Sequence, residues 1–281
     1  MTQKFRRIAA ILLSGVSVGF TQAAETTFTF APLPMETSET VVGQWKPLLN
    51  YLERKLDIRL RIDYSQSNDE ILEKFRAGKL DLAYLGPLPY VVLKENFPAV
   101  LPVVHFKEVN GQAAYTCAVV ALTESKLMIK DLHSKKIALT QPLSTCGYLA
   151  ADGLLRRAGT SPELNRYRYL NAHDAVALAV VRGDYDAGVL KSAIALKYKH
   201  LGLTILAETA PLPALGLVAN SSRLSAETVE RLRAALIEAD SAVRTGWGDN
   251  IRHGAVPAVD ADYDPMRKLC GQRQIPVKGN F

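Results

Sequence analysis

The sequence predicts an α/β protein of two lobes, each a mixed, mostly parallel sheet flanked by helices, with a ligand cleft between them. Three observations predict it. Strand-like and helix-like hydrophobic patterns alternate through residues 27–100, and the alternation restarts beyond residue 135 after a long extended passage. A second extended passage, over residues 203–220, precedes a final helical pattern. Alternation of this kind argues for largely parallel sheets covered by helices, and two long crossings argue for a chain that visits a second lobe and returns.

The first residues stand apart from that fold. Lys4, Arg6 and Arg7 precede an apolar run from Ile8 to Phe20, and Thr21, Gln22 and Ala23 follow as a small-residue cleavage pattern. Residues 1–23 are therefore predicted to be a secretory signal, since a bilayer span needs about 20 predominantly apolar residues. Of 281 residues, 48% are hydrophobic and 22% charged, enough apolar material for one or two cores and no sign of disorder. The formal charge is +6, and the signal's three basic residues account for half of it. What remains is mildly basic. Lys and Arg are scattered among acids with no aromatic-basic stripe, which argues against nucleic acid and suits a small anion better.

After the signal, "TFTFAP" alternates as a strand. In "SETVVGQWKPLLNYLERKL" the spacing of Val41, Val42, Trp45, Leu48, Leu49, Leu52 and Leu56 is helical, with Ser38 as its N-cap. "IRLRIDY" reads as a strand, "SNDEILEKFRAG" as a short helix closed by Gly78, "LDLAYL" as a buried strand and "GPLPY" as a turn. Next come "VLPVVHF" and "AAYTCAVVAL", two extended segments around an Asn-Gly turn, which is a strong hairpin signal. The second is long enough to enter another lobe. There the series resumes with "KKIALT", a helix from Ser144, "YRYL", a helix "HDAVALAVVRG" capped by Asn171, "YDAGVL" and a helix from Ser192. "LTILAET" and "ALGLVAN" are extended, and one long helix follows a cap at Ser225. This divides the chain into residues 24–114 for the first lobe, 115–214 for the second, and 215–281 for the return to the first.

Three cysteines, Cys117, Cys146 and Cys270, sit in a chain bound for an oxidising compartment. Their spacing matches no zinc or haem motif, and no cofactor or metal is expected. If two of them pair, Cys117 and Cys146 are the expected partners, because both fall in the second lobe. Cys270 is then left over.

"LSTCG", residues 143–147, carries no carboxylate and precedes a helix. A helix start presents unpaired N–H groups and about half a positive charge, so it attracts anions without a lysine. Ser144 and Thr145 add hydroxyls, and Gly147 allows close backbone approach. Capping of the helix by Ser144 or Thr145 explains the same residues more plainly.

Four segments, "GQWKPLLNYLERKL", "LDLAYLGPLPYVV", "LSTCGYLAADGLLRRAG" and "NAHDAVALAVVRGDYDAGVL", in that order and at similar separations, resemble the substrate-binding proteins of phosphate, phosphite and phosphonate ABC transporters. Together with the signal they span most of the chain. The resemblance implies a two-lobed periplasmic binding fold of the second type, no catalysis, and a hinge that closes on a tetrahedral oxyanion. It implies that Ser144 and Thr145 bind the anion through side chain and backbone, that Gly147 matches the family's glycine, and that His173 is the family's histidine. Cys146 stands where a third hydroxyl residue is usual, and a thiol is the poorer donor. A first-lobe tyrosine of the family corresponds to Tyr84 or Tyr90, with Tyr84 preferred because it ends a strand.

Lys191, at a strand's carboxyl end, is a candidate countercharge. Ser38 and Thr40, ahead of the first helix, are candidates for a second set of donors from the opposite lobe. Asp174 and Asp186 read as structural. The expected protein is a periplasmic monomer that hands a small oxyanion to a membrane permease. Two alternatives are a ligand sensor for a membrane histidine kinase, taking arsenite through Cys117 and Cys146 as soft ligands, and an enzyme with Cys146 as nucleophile and His173 as base. No third orienting residue for such an enzyme is identifiable.

Overall fold

A computed structural model of the chain describes residues 27–35, 38–271 and 273–281; the expected signal, residues 1–23, lies outside them. Strand β1 (Thr27–Ala31) turns Phe28 and Phe30 to one side of its sheet and Ala31 to the other. Helix α1 (Ser38–Leu56) covers the phenylalanine side. Its stripe of Val41, Trp45, Leu48, Leu49, Leu52 and Leu56 is buried, with Trp45 set 4.7 Å from Phe30. Burying each side chain of that size contributes about 2 kcal/mol, and tertiary packing rather than propensity holds the helix.

Strand β2 (Arg59–Ile62) leads to helix α2 (Asn68–Arg76), whose first turn is capped where Ser67 Oγ accepts the Glu70 N–H at 3.2 Å. Gly78, at φ +68°, supplies the left-handed residue that ends it. Strand β3 (Leu82–Leu85) is buried throughout. "GPLPY" is not merely a turn: helix α3 (Pro87–Asn96) begins inside it, with Pro87 at a first-turn position where no N–H is needed.

Strand β4 (Val100–Phe106) corrects the hairpin expectation. The Asn-Gly turn forms, with the Gly111 N–H donating to Glu108 O at 2.8 Å, but it sends the chain out of the sheet. The chain passes through β5 (Ala114–Tyr115) into β6 (Cys117–Leu122), and β6 belongs to the second sheet. There follow β7 (Lys136–Leu139), α4 (Tyr148–Arg157), β8 (Arg166–Tyr169), α5 (His173–Val181), β9 (Ala187–Lys191), α6 (Ser192–Lys197) and β10 (Leu203–Glu208). Helix α4 starts four residues after Ser144, so Ser144–Gly147 forms turns ahead of the helix rather than its first turn. The N-cap of α5 is Ala172, not Asn171, which instead takes φ +68°.

The chain returns through β11 (Leu212–Pro213), antiparallel to β5, and enters β12 (Gly216–Asn220). The expected final helix is broken into α7 (Ala226–Glu238) and α8 (Ser241–Arg244), because Ala239 leaves the helical region at ψ 119° and Asp240 caps a new start. Strand β13 (Ala255–Pro257) and helix α9 (Asp264–Cys270) complete the elements.

The first sheet runs β13-β4-β12-β3-β1-β2 and the second β10-β6-β9-β7-β8. Pairing is parallel around β1 and β7, and antiparallel where the crossing strands enter. The β5-β11 ribbon joins the two sheets. A third connection comes from the C-terminal residues, which the sequence reading placed on the first lobe. They run along the second sheet's edge, where the Asn280 N–H donates to Tyr167 O at 3.0 Å and Phe281 O accepts from Arg168.

Candidate functional site

Between the sheets lies a cavity of about 40 Å³. That is room for roughly three waters or one small tetrahedral ion. Residues 141–147 make two successive turns that bring Ser144, Thr145 and Cys146 to the cavity: the Ser144 N–H donates to Gln141 O at 3.0 Å and the Gly147 N–H to Ser144 O at 2.9 Å. The N–H groups of Thr145 and Cys146 and the Ser144 hydroxyl have no hydrogen-bond partner among the described residues, and all three residues line the cavity. Buried backbone N–H groups are almost always paired, so two adjacent unpaired ones mark a place built for an acceptor.

Cys146 is tied to Cys117 by a disulfide across 29 residues of sequence. The bond anchors the donor loop to β6 beside Lys191, the register partner of Cys117. Closing a loop of that length is worth about 3.6 kcal/mol in the chain-entropy account. It also consumes both thiols. The soft-thiolate sensor reading and the Cys146 nucleophile reading lose their chemistry together.

His173, first residue of α5, accepts the Lys191 N–H on Nδ1 at 3.1 Å, which places the ring proton on Nε2. Burial, reinforced by Lys191, lowers its pKa from 6.5 to about 4, so the ring lines the cavity as a neutral donor. The pH dependence follows. As pH falls from 6.5 towards 4 the unfolded chain binds a proton that the folded chain refuses, and stability declines across that window. In His173→Gln the loss across that window is expected to be shallower, as measured by urea unfolding at a series of pH values.

Lys191 is buried, and its Nζ donates to both carboxylate oxygens of Glu108 at 2.7 Å. It also sits 5.2 Å from the centre of the Tyr115 ring. Among the described residues lining the cavity it is the only lysine or arginine.

Two contacts pin the lobes together at this site. Thr145 Oγ1 accepts the Leu88 N–H from α3 at 3.1 Å. Asn68, at the start of α2, donates through Nδ2 to Gln141 Oε1 at 3.0 Å. The Thr145 oxygen is thus engaged in closure as an acceptor, which leaves the residue's N–H and its hydroxyl proton for the task expected of both groups.

Other expected site residues stand elsewhere. Gly147 does not line the cavity; a Cβ there would overlap the Gln141 carbonyl and come within 3.0 Å of Ser144 O, so its glycine serves the turn. Tyr84 is buried against Trp45 and Phe106 and borders a smaller neighbouring cavity. Tyr90 faces away, donating to Asp260 at 2.5 Å while its ring lies 3.9 Å from that of Tyr263. Ser38 and Thr40 are exposed on α1 and do not line the cavity. Asp186 receives the Lys136 N–H at 2.8 Å, a structural use. The sequence reading missed Asn68, Tyr115 and Glu108. Only Tyr115 had a signal, an aromatic two residues before Cys117 in the crossing.

The family described as "ABC transporter, phosphonate, periplasmic substrate-binding protein" matches residues 30–263. The phosphate-import protein PhnD of Mycolicibacterium smegmatis is 27% identical over 273 residues, covering 87% of this chain and 85% of the relative. Among solved structures, PhnD1 of Prochlorococcus marinus in complex with methylphosphonate superposes with a TM-score of 0.75 at 16% identity, covering 87% of this chain and 97% of its own. A phosphonate-transporter binding component of Pseudomonas aeruginosa gives 0.74 at 18% identity, covering 87% and 85%. A family match across most of the chain, with the two-sheet fold and a donor-lined cavity between the sheets, means that this chain belongs to the periplasmic substrate-binding proteins of phosphonate ABC transporters.

Proposed function

We propose that this chain captures a phosphonate- or phosphate-class oxyanion in the interlobe cavity and presents it to a membrane permease, binding without turnover. The observation that carries the site assignment is the set of unpartnered donors on one loop, the Thr145 and Cys146 N–H groups and the Ser144 hydroxyl. His173 Nε2–H and Lys191 complete the donor side. A relative named for phosphate import, and a separate protein of the same fold whose structure holds methylphosphonate, agree with that ligand class. Export through the signal at residues 1–23, and action as a monomer, complete the reading.

Closure strengthens each N–H to oxyanion bond by excluding water, and the Thr145 and Asn68 contacts are what closure adds in protein alone. The test is a thermal-shift panel of phosphate, phosphite, methylphosphonate, sulfate, arsenite and selenite. A ligand at 100-fold its Kd stabilises by about 2.7 kcal/mol, which raises the melting temperature by roughly 5 °C. No response to any phosphorus oxyanion would sink the reading.

A further inference from the structure

The groups assigned to the ligand so far all donate, yet a residue lining the cavity also carries an acceptor with nothing to accept. Asn68 is only 5% exposed, lines the cavity, and its Oδ1 has no hydrogen-bond partner. Its amide orientation is set by the network. Gln141 Oε1 accepts the Asn68 backbone N–H at 3.4 Å, so the Gln141 oxygen faces Asn68 and must meet Nδ2 rather than Oδ1. Gln141 Nε2 is turned the other way, to Asn171 O at 3.3 Å. Oδ1 is left on the side away from Gln141. A buried unpaired acceptor is costly, and it would meet a fully ionised oxygen lone pair against lone pair.

The charge of the cavity points the same way independently. Lys191 is matched by Glu108, and the His173 ring carries no charge near neutral pH. The lining is close to neutral, and the desolvation cost of an ion rises with the square of its charge, about fourfold from monoanion to dianion.

Resting on the function proposed above, we propose that the site selects the singly charged, protonated form of its oxyanion, with Asn68 Oδ1 accepting the ligand's P–OH. Sulfate, which carries no proton near neutral pH, is rejected by the same atom. The titratable groups around this pocket are Tyr115, His173, and Lys191 with its partner Glu108. Burial raises Tyr115 far out of the working range. On α2 itself Asp69 is raised by burial and Glu70 lowered by its bond to Lys74, and α3, packed on α2, carries Lys94 and Glu95 in its last turn.

The experiment is calorimetric titration of the signal-free chain with methylphosphonate from about pH 6 to about pH 9, and with sulfate at neutral pH. Above the ligand's second ionisation, affinity for methylphosphonate is expected to fall about tenfold per pH unit. Sulfate is expected to bind at least about 100-fold more weakly than methylphosphonate. In Asn68→Leu the pH slope flattens and the sulfate gap closes to about tenfold. Gln141→Leu, which removes the acceptor that orients the Asn68 amide, is expected to weaken both as well.

Affinity that is flat or rising with pH, sulfate binding within about tenfold of methylphosphonate in the unaltered chain, or unchanged discrimination in Asn68→Leu overturns the proposal while leaving the oxyanion function in place. So does tighter binding of 2-aminoethylphosphonate, which would assign Oδ1 to an ammonium. If Asn68→Leu does not fold, the pH slope and sulfate ratio of the unaltered chain decide. Absence of binding by every phosphorus oxyanion overturns this proposal and the function together.

Discussion

Lys191→Met is expected to weaken methylphosphonate binding by roughly 1,000-fold while leaving the circular dichroism spectrum unchanged. Methionine keeps the length and apolar stem of the side chain, which lies buried beside Tyr115. What changes is charge. The Lys191 ammonium satisfies both oxygens of Glu108 at 2.7 Å, so its removal withdraws one attraction from the anion and unmasks one carboxylate against it. At about 5 Å and an effective dielectric of about 20, each such effect is worth about 3 kcal/mol before relaxation, and about 4 kcal/mol in sum corresponds to the stated loss. The double variant Lys191→Met/Glu108→Gln removes the repulsion and is expected to regain at least about tenfold. A single variant that binds within about threefold of the unaltered protein would show that the anion does not rest near this ammonium.

Gly147→Ala is expected to cost about 3 kcal/mol of stability and about 100-fold in affinity. The new Cβ would overlap the Gln141 carbonyl oxygen and press on Thr140 Oγ1 at 3.3 Å, and backbone cannot move aside as a flexible side chain can. Relief requires opening the turn that aims the Thr145 and Cys146 N–H groups. A displacement of about 1 Å in a donor set costs roughly that factor in affinity. Gly43→Ala is the control: it lies exposed in α1 with nothing near its Cβ, and should stabilise by about 0.5–1 kcal/mol. Comparable melting temperatures for Gly147→Ala and the unaltered chain would contradict the steric argument.

Local patterns carried far in this chain, and the places where they stopped are informative. The α1 stripe, the Ser225 cap and the glycine stop at Gly78 depend on neighbours a few residues away, and all appear where the spacing predicts. The Asn-Gly turn is equally local, and it too forms. Its consequence differs because β4 finds better partners in β12 and β13 than in the strand that follows it.

By itself the sequence determined most strands and helices through residue 238, the two crossings, and the hydroxyl-rich segment at residues 144–147, since each is written in contiguous residues; it did not show α3 inside "GPLPY", the break at Ala239, or β13 and α9. The tertiary structure alone decided which polar groups of that loop remain free. Leu88 claims the Thr145 side chain across 57 residues, Glu108 reaches Lys191 across 83, and Gln141 orients Asn68 across 73. Hydrogen-bonding capacity belongs to a residue type, but its availability depends on what the fold brings within 3 Å, and no local spacing encodes that.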